Sequence, residues 1–452
     1  MAVVVGGILL LRLHAFIALI LGAFIVAAFT PDSSLADAGP RVAAALGKTA
    51  GKIGILIAMA AVIGKCLLES GAADRIVRSA LKLVTDRLAP LAFMGSGFLL
   101  GVPVYFDTLF YLLVPLAKST GLRHPSEYGR YIMGTIAGGT MAHSLVPPTP
   151  GPLLVAEELG VDIGTMMIAG CMVGAFTCVI GYVYAKLINR RNPIPLRDSA
   201  DVSLNELKLQ SEVVEGKLPP LWLSVLPILL PVILIGGNSI LGALVKGASP
   251  GSAVLLIPES IIWFFRTFGE KNLALIISAG VSLLILVRRK SGSIRDQGSA
   301  VGSALASGGV IILITAAGGA FGGVLQQTGI SERIGTLAMD HQIGLIPLAF
   351  FLTALIRTAQ GSATVAMITT VGIIGGITRP DQLGFHPVYL ALAIGCGSKP
   401  FPWMNDSGFW IIGKMSGMTE KETFRAFSYM ISLMALGGLI LLMFASKVWP
   451  GV

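Results

Sequence analysis

The chain has 452 residues, of which 54% are hydrophobic and only 13% charged, about half the charged share of an ordinary soluble domain. Mean hydropathy is +0.81, and apolar runs of membrane-crossing length recur from end to end. A soluble globular protein is excluded, because it would expose too much of that apolar surface. The net charge of +9 does not indicate a nucleic-acid partner: Lys and Arg sit in short segments between apolar runs, where they report orientation in a bilayer.

In chain order, the first apolar stretch runs to Phe29 and ends in TPDSS. It reads as a first transmembrane helix rather than a cleavable signal peptide. Its abrupt start at Met1 is compatible with a few residues missing ahead of it. Uninterrupted spans are expected at about 13–30, 50–69, 163–188, 219–245, 272–288, 306–328 and 425–446. Two further apolar regions, 88–118 and 343–377, are long but interrupted in the middle. Two more, 128–160 and 386–413, carry Pro/Gly and polar clusters. The one hydrophilic segment, 190–220, has alternating charge and no apolar stripe, and reads as a linker. Cys66, Cys171, Cys178 and Cys396 are scattered without CxxC spacing, so they read as buried thiols. No metal site and no cofactor are expected.

The sequence repeats itself. GKCLLESGAADRI from Gly64 lies over GGVLQQTGISERI from Gly322, with five of thirteen positions identical, and the polar positions Glu69/Gln327 and Asp74/Glu332 also correspond. PGPLLVAEELGV from Pro150 lies over SGFWIIGKMSGM from Ser407, matching Gly151 to Gly408 and Gly160 to Gly417. The irregular regions thereby pair, 88–118 with 343–377 and 128–160 with 386–413. The expected organisation is a first membrane repeat over 1–189, a linker with one connecting helix over 190–258, and a second repeat over 259–452.

Loop charges suggest how the halves are related. Segment 71–88 carries Arg75, Arg78, Lys82 and Arg87, against Arg333 alone in 329–346. One loop earlier the bias reverses: Arg289, Lys290 and Arg295 in 289–300 face Asp32, Asp37 and one arginine in 31–47. Opposite bias in equivalent loops implies inverted repeats. With 71–88, 190–218 and 289–300 in the cytoplasm, the N-terminus is cytoplasmic. The resulting architecture is an all-α polytopic membrane protein of two inverted repeats. In it 88–118 and 343–377 are re-entrant hairpins, and 128–160 and 386–413 are broken transmembrane helices.

Such a design places its site where unwound backbone lines a cavity near the midplane. In the first hairpin, Asp107 lies within an apolar aromatic stretch, where a carboxylate is costly; it reads as a coupling or substrate residue, or as the cap of a half-helix. Arg357, in the partner hairpin, suits a carboxylate ligand or an internal ion pair with Asp107 or Asp406. GSAT at 361–364 offers Gly361, Ser362 and Thr364, with backbone N–H groups at a half-helix N-terminus able to hold an anion; small residues also serve helix packing. In the second break, Ser398 and Lys399 precede Asn405 and Asp406. Asp406 is both a cap and a site candidate, and Lys399 either neutralises a substrate or snorkels. His143 opens the proline-rich HSLVPPTPGP, which also holds Thr149, and titrates near physiological pH. HExxH and GxGD are absent, and GKT at 47–49 lacks Walker spacing, so an enzyme is not expected.

At these segments the sequence resembles the gluconate permease (GntP) family, bacterial symporters of gluconate and related hydroxy acids. The resemblance is carried, in order and spacing, by YFDTLFYLLVPL, HSLVPPTPGP, IRTAQGSATVAMIT and WMNDSGFWII. It covers nearly the whole chain, and it implies the bacterial plasma membrane, an elevator-type movement and, by analogy, a homodimer. Thr149 and Trp403 stand where many members carry histidine, members vary between Glu and Asp at position 107, and Lys399 stands where an uncharged residue is usual. The substrate therefore need not be gluconate; glycerate, a keto-deoxy sugar acid, fructuronate and a D-amino acid stay open. On this reading the chain imports a small hydroxylated carboxylate with protons. Arg357, with Lys399 and the N–H groups of Gly361–Thr364, holds the carboxylate. Asn405, Ser362, Thr364 and Thr149 bind hydroxyls, Ser398 adds to the substrate site, and Asp107, Asp406 or His143 carries the proton. Sodium coupling or antiport, a channel and a membrane-embedded enzyme are the alternatives.

Overall fold

A computed structural model describes residues 11, 13–30, 35–198, 218–246, 257–290, 298–328, 344–375 and 383–451, all of them helix or connection and none of them strand. The helices in chain order are α1 (Ala15–Ala28), α2 (Leu35–Glu69), α3 (Ala72–Leu83), α4 (Ala89–Gly101), α5 (Phe106–Arg123), α6 (Tyr128–Leu145), α7 (Pro150–Glu158) and α8 (Ile163–Arg191). They continue with α9 (Leu221–Lys246), α10 (Glu259–Phe268), α11 (Lys271–Lys290), α12 (Gly298–Gln326), α13 (Leu345–Gln360), α14 (Ala363–Ile374), α15 (Val388–Gly397), α16 (Ser407–Ser416) and α17 (Glu420–Val448). Six described helices, α2, α8, α9, α11, α12 and α17, are long and apolar enough to cross a bilayer.

Length separates the periphery from the centre. The long helices are only partly buried and present apolar stripes at helical spacing: Met172, Phe176, Val179, Val183 and Leu187 on α8, and Leu433, Leu436, Ile440 and Phe444 on α17. Such stripes fit a hydrocarbon solvent. The short helices α6, α7 and α15 are interior. In α6 every residue from Tyr128 to Leu145 except Arg130 and His143 is buried, and α15 is buried apart from Tyr389. Small residues make the central packing close. Gly97 and Gly101 of α4 lie against Thr135, Gly139 and Ala142 of α6, while Gly134 and Gly138 of α6 have the Pro90 and Met94 carbonyls of α4 where a Cβ would stand, the small-residue packing of closely approached membrane helices.

Several expectations change. The span expected at 13–30 is a 14-residue helix. Residues 35–47 of the segment expected as a loop are helical, because this Ala-rich stretch extends α2 to 35 residues, past Pro40; 31–34 lie outside the described residues. Segment 71–88 is the amphipathic helix α3 with a 3₁₀ turn at Asp86–Leu88; Asp74 pairs with Arg78 at 2.9 Å. The other two segments of the charge comparison, 291–297 and 329–343, lie outside the described residues, as does linker segment 199–217. The start of the linker is docked rather than free: Arg197 donates to both carboxylate oxygens of Glu422 (2.6 and 3.0 Å) and to the Gly417 carbonyl (2.9 Å). Helix α10, a short aromatic-rich helix, was not expected from the sequence.

The interrupted regions behave as the sequence indicates. Residues 102–105 separate α4 from α5, and 361–362 separate α13 from α14. Residues 146–149 break α6 from α7, and 398–406 break α15 from α16. Gly160 and Gly417, matched by the internal repeat, each end a short helix in a left-handed conformation (φ 65° and 69°).

Gly138→Leu should force α4 and α6 apart, at about 1–3 kcal/mol for overpacking. Thermal unfolding in detergent is expected to show a lowered midpoint, whereas Gly280→Leu, on open space, should leave it unchanged.

Candidate functional site

Four interruptions produce four interior helix starts, and all four open on one place. The first residues of α5 (Phe106, Asp107), α7 (Pro150), α14 (Ala363, Thr364) and α16 (Ser407, Gly408) line a single cavity of about 610 Å³. Each helix N-terminus carries a partial positive charge, although Pro150 and Pro152 leave α7 with few N–H groups. Thr140 and His143 of α6, Ile311, Ile314 and Thr315 of α12, and Phe427 and Ile431 of α17 complete the wall.

Arg357 organises the second half of the site. Its Nε donates to the Ser398 carbonyl at 3.0 Å, one terminal nitrogen to the Gly361 carbonyl and the other to Asp406 Oδ2. The side chain is 4% exposed and lines the cavity, and these three bonds also make it an internal clamp that includes the ion pair with Asp406 the sequence left open. Asp406 is spent as well: its other oxygen accepts from Gly408 N at 2.8 Å and caps α16. Asn405 donates to the carbonyls of Thr358 (2.9 Å) and Ala359 (3.3 Å), leaving its buried Oδ1 without a protein partner. Gly361, at φ 86°, packs against the Asn405 backbone where any side chain would collide. The hairpin tip and the helix break are thus one unit.

Other predicted residues divide. Ser362 caps α14 by accepting from Val365 N at 3.3 Å. Thr364 lines the cavity with its hydroxyl unengaged among the described residues. Lys399 lines it too, 4% exposed and making no hydrogen bond or close ion pair with a described residue through its ammonium, yet near enough to His143, Arg357 and Asp406 to interact electrostatically. Asp107 is half-buried on the first turn of α5 and interacts electrostatically with Asp406. His143 leaves a buried Nδ1 unpartnered and sits edge-on to Tyr105, ring centroids 6.3 Å apart. Two expectations are corrected. Thr149 does not line the cavity, since its hydroxyl donates to the Val146 carbonyl at 2.7 Å inside the break. Ser398 is fully buried, with its hydroxyl on the Gly395 carbonyl at 2.7 Å; it contributes a carbonyl to Arg357, not a side chain to the cavity. The sequence reading missed Tyr105, Thr140 and the α12 wall. A threonine amid the apolar run ILITAAGG was the one available signal for Thr315.

Among known proteins, the sequence matches the family described as GntP family permease over residues 1–448. An uncharacterized permease of Haemophilus influenzae is 33% identical over 92% of this chain and 84% of its own length. A gluconate permease of Zymomonas mobilis is 30% identical, covering 95% of this chain and 92% of its own length. In fold, the chain is similar to Neisseria gonorrhoeae MtrF, solved in a study of antimetabolite efflux pumps, with a TM-score of 0.63 at 16% identity over 99% of this chain and 97% of that one.

Arg357→Ala should leave Asp406 as an uncompensated buried charge, costing about 3–5 kcal/mol. Asp406→Asn with Arg357→Ala should cost less than the two single changes summed. Thermal unfolding of the three variants measures the coupling; strict additivity would deny the clamp.

Proposed function

This chain belongs to the GntP family of permeases and is a multi-pass membrane transporter rather than an enzyme, and from that premise we propose that it imports a small hydroxylated carboxylate, such as a sugar acid, by proton symport. The observation that carries the reading is the meeting of four helix N-termini with the unpaired ammonium of Lys399 around one cavity. Both features favour an anion. With Arg357 and Asp406 cancelling each other, Lys399 supplies the site's free positive charge.

Lys399 and the N–H groups at the starts of α14 and α16 hold the carboxylate. Thr364 and the unpartnered Oδ1 of Asn405 receive substrate hydroxyls, while Arg357, Asp406, Ser362 and Gly361 hold the frame. Asp107 and His143 carry the coupled proton, being the carboxylate and the imidazole on the cavity wall that no described residue holds in a hydrogen bond. Several relatives, including that of Zymomonas mobilis, are named for gluconate, which supports the substrate class.

The two halves, 1–189 and 259–452, joined through 190–258, are read as inverted repeats with the N-terminus in the cytoplasm. The paired hairpins, the paired breaks and the matched left-handed glycines Gly160 and Gly417 support the duplication. The plasma membrane is the proposed location.

Purified protein in liposomes should accumulate at least one member of a sugar-acid panel when an inward proton gradient is imposed. Accumulation under a sodium gradient alone, or none at all, would overturn the proton reading. Lys399→Met should raise KM for the acid about tenfold or more, the loss of one charge-assisted contact of about 1.5–3 kcal/mol, without creating affinity for the neutral sugar. Asp107→Asn should abolish gradient-driven accumulation yet retain counterflow exchange; an unchanged gradient response would assign the proton to His143.

A further inference from the structure

A second cavity, about 550 Å³, lies between α2 and α12. On its α2 side are Arg41, Lys48 and Lys52, whose spacing of seven and four residues puts them on one helical face. Glu158, at the end of α7, and Gln327, just past α12, complete its polar wall. Arg41 is held, its Nε donating to Gln327 Oε1 at 3.0 Å, and Glu158 also has a partner. Lys48 and Lys52 make no hydrogen bond or ion pair with a described residue, and Lys48 is exposed while Lys52 is half-buried.

Two helices connect this cavity with the site. α7 has Pro150 in the inner cavity and Glu158 in the outer one, about 12 Å apart along its axis. α12 carries Ile311 and Thr315 in the inner cavity, then Gly319, Gly323 and Gln327 in the outer one, at four-residue steps along one face. Between them the packing is tight, with Thr49 filling the space beside Gly319 and Ile368 the space beside Gly318.

The cations need a reason. In the orientation proposed above, the start of α2 is on the outer side, where the positive-inside bias disfavours Lys and Arg. Lys52 stands about 25 Å along α2 from its Glu69 end, deep enough that an unpaired ammonium is expensive unless it faces water. An aqueous, net-positive cleft with low-dielectric walls raises the local concentration of anions and their rate of capture.

We propose that the α2–α12 cavity is an outer vestibule that gathers the carboxylate substrate on Lys48 and Lys52 before it passes the Thr49–Gly319 neck into the inner site. This role rests on the importer reading of the inner cavity. The vestibule acts on capture, not on turnover, and it faces one side of the membrane only.

The test uses the full-length protein in liposomes, with uptake of a transported sugar acid measured against concentration and ionic strength. The double variant K48Q/K52Q should raise uptake KM about tenfold, at the low end of electrostatic focusing, hold kcat within about twofold, and flatten the salt dependence. KM for efflux should not move. An unchanged uptake KM and salt slope overturns the proposal. So does a KM effect confined to vesicles containing anionic lipid, which would assign the lysines to a lipid headgroup. A second measurement does not depend on transport. In an Ala45→Cys protein, the rate of labelling by a negatively charged thiosulfonate relative to a neutral one should fall several-fold when Lys48 and Lys52 become Gln. An unchanged ratio overturns the vestibule even if import is confirmed. Should the protein import no carboxylate while the ratio falls, the importer reading fails and the cationic cavity stands.

Discussion

The clamp around the Arg357 guanidinium is the constraint on which the rest of the site depends. It bonds the Ser398 carbonyl at the end of α15, the Gly361 carbonyl at the tip between α13 and α14, and the Asp406 carboxylate at the start of α16. In hydrocarbon, each free carbonyl at a helix end costs several kcal/mol. One planar, permanently charged fork answers two of them and neutralises the carboxylate that caps a third helix. Lysine, with a point charge on a flexible stem, would not hold three segments at fixed angles. The neighbouring contacts follow this arrangement: Gly361 must lack a side chain because the clamp draws the tip onto Asn405, and the Asn405 amide then closes on Thr358 and Ala359.

Once those charges cancel, the electrostatics of the cavity become simple. Four helix N-termini and one unpaired ammonium face Asp107. A site of that balance attracts an anion and keeps a carboxylate within reach of a proton. The same pairing ties up much of the strongest-looking ligand in the sequence, an arginine at a hairpin tip, in holding its own frame. The break leaves Lys399 buried on the cavity wall with no hydrogen bond to a described residue, which is why the proposed reading gives it the ligand role.

The division between long outer helices and short inner ones has a mechanical meaning. Helices with regular apolar stripes, such as α8 and α17, satisfy every backbone group internally and tolerate lipid. Interrupted helices do not, so they must be surrounded by protein; α6 and α15 are almost wholly buried for that reason. Close packing of Gly-bearing faces on α4 and α6 shows how a broken segment is held without long side chains. The outer cavity between α2 and α12 departs from this order in a way that suits charge: its cations sit on a long helix, facing a cleft instead of lipid.

Much of this was legible in the amino-acid order, because it is local. Apolar run length marked most of the long helices, Pro/Gly clusters marked the two helix breaks, and polar residues within long apolar regions marked the two hairpins; a missing N–H or a missing Cβ acts on the residue's own backbone. Asp107, Lys399, Thr364 and Asn405 were recognisable as polar groups that apolar surroundings penalise, and the structure brings them to one cavity. What the sequence could not determine is how each polar atom is used. Arg357 and Asp406 are 49 residues apart, and no pattern says that their charges are mutually spent, nor that Thr149 and Ser398 turn their hydroxyls back onto carbonyls within their own breaks. The α12 wall lies some two hundred residues from Asp107. Lys48 and Lys52 carry no motif of their own, and only α12 set against α2 makes a cavity beside them. Local sequence determines where the backbone must open; only long-range packing decides which of the exposed groups are left over for a ligand.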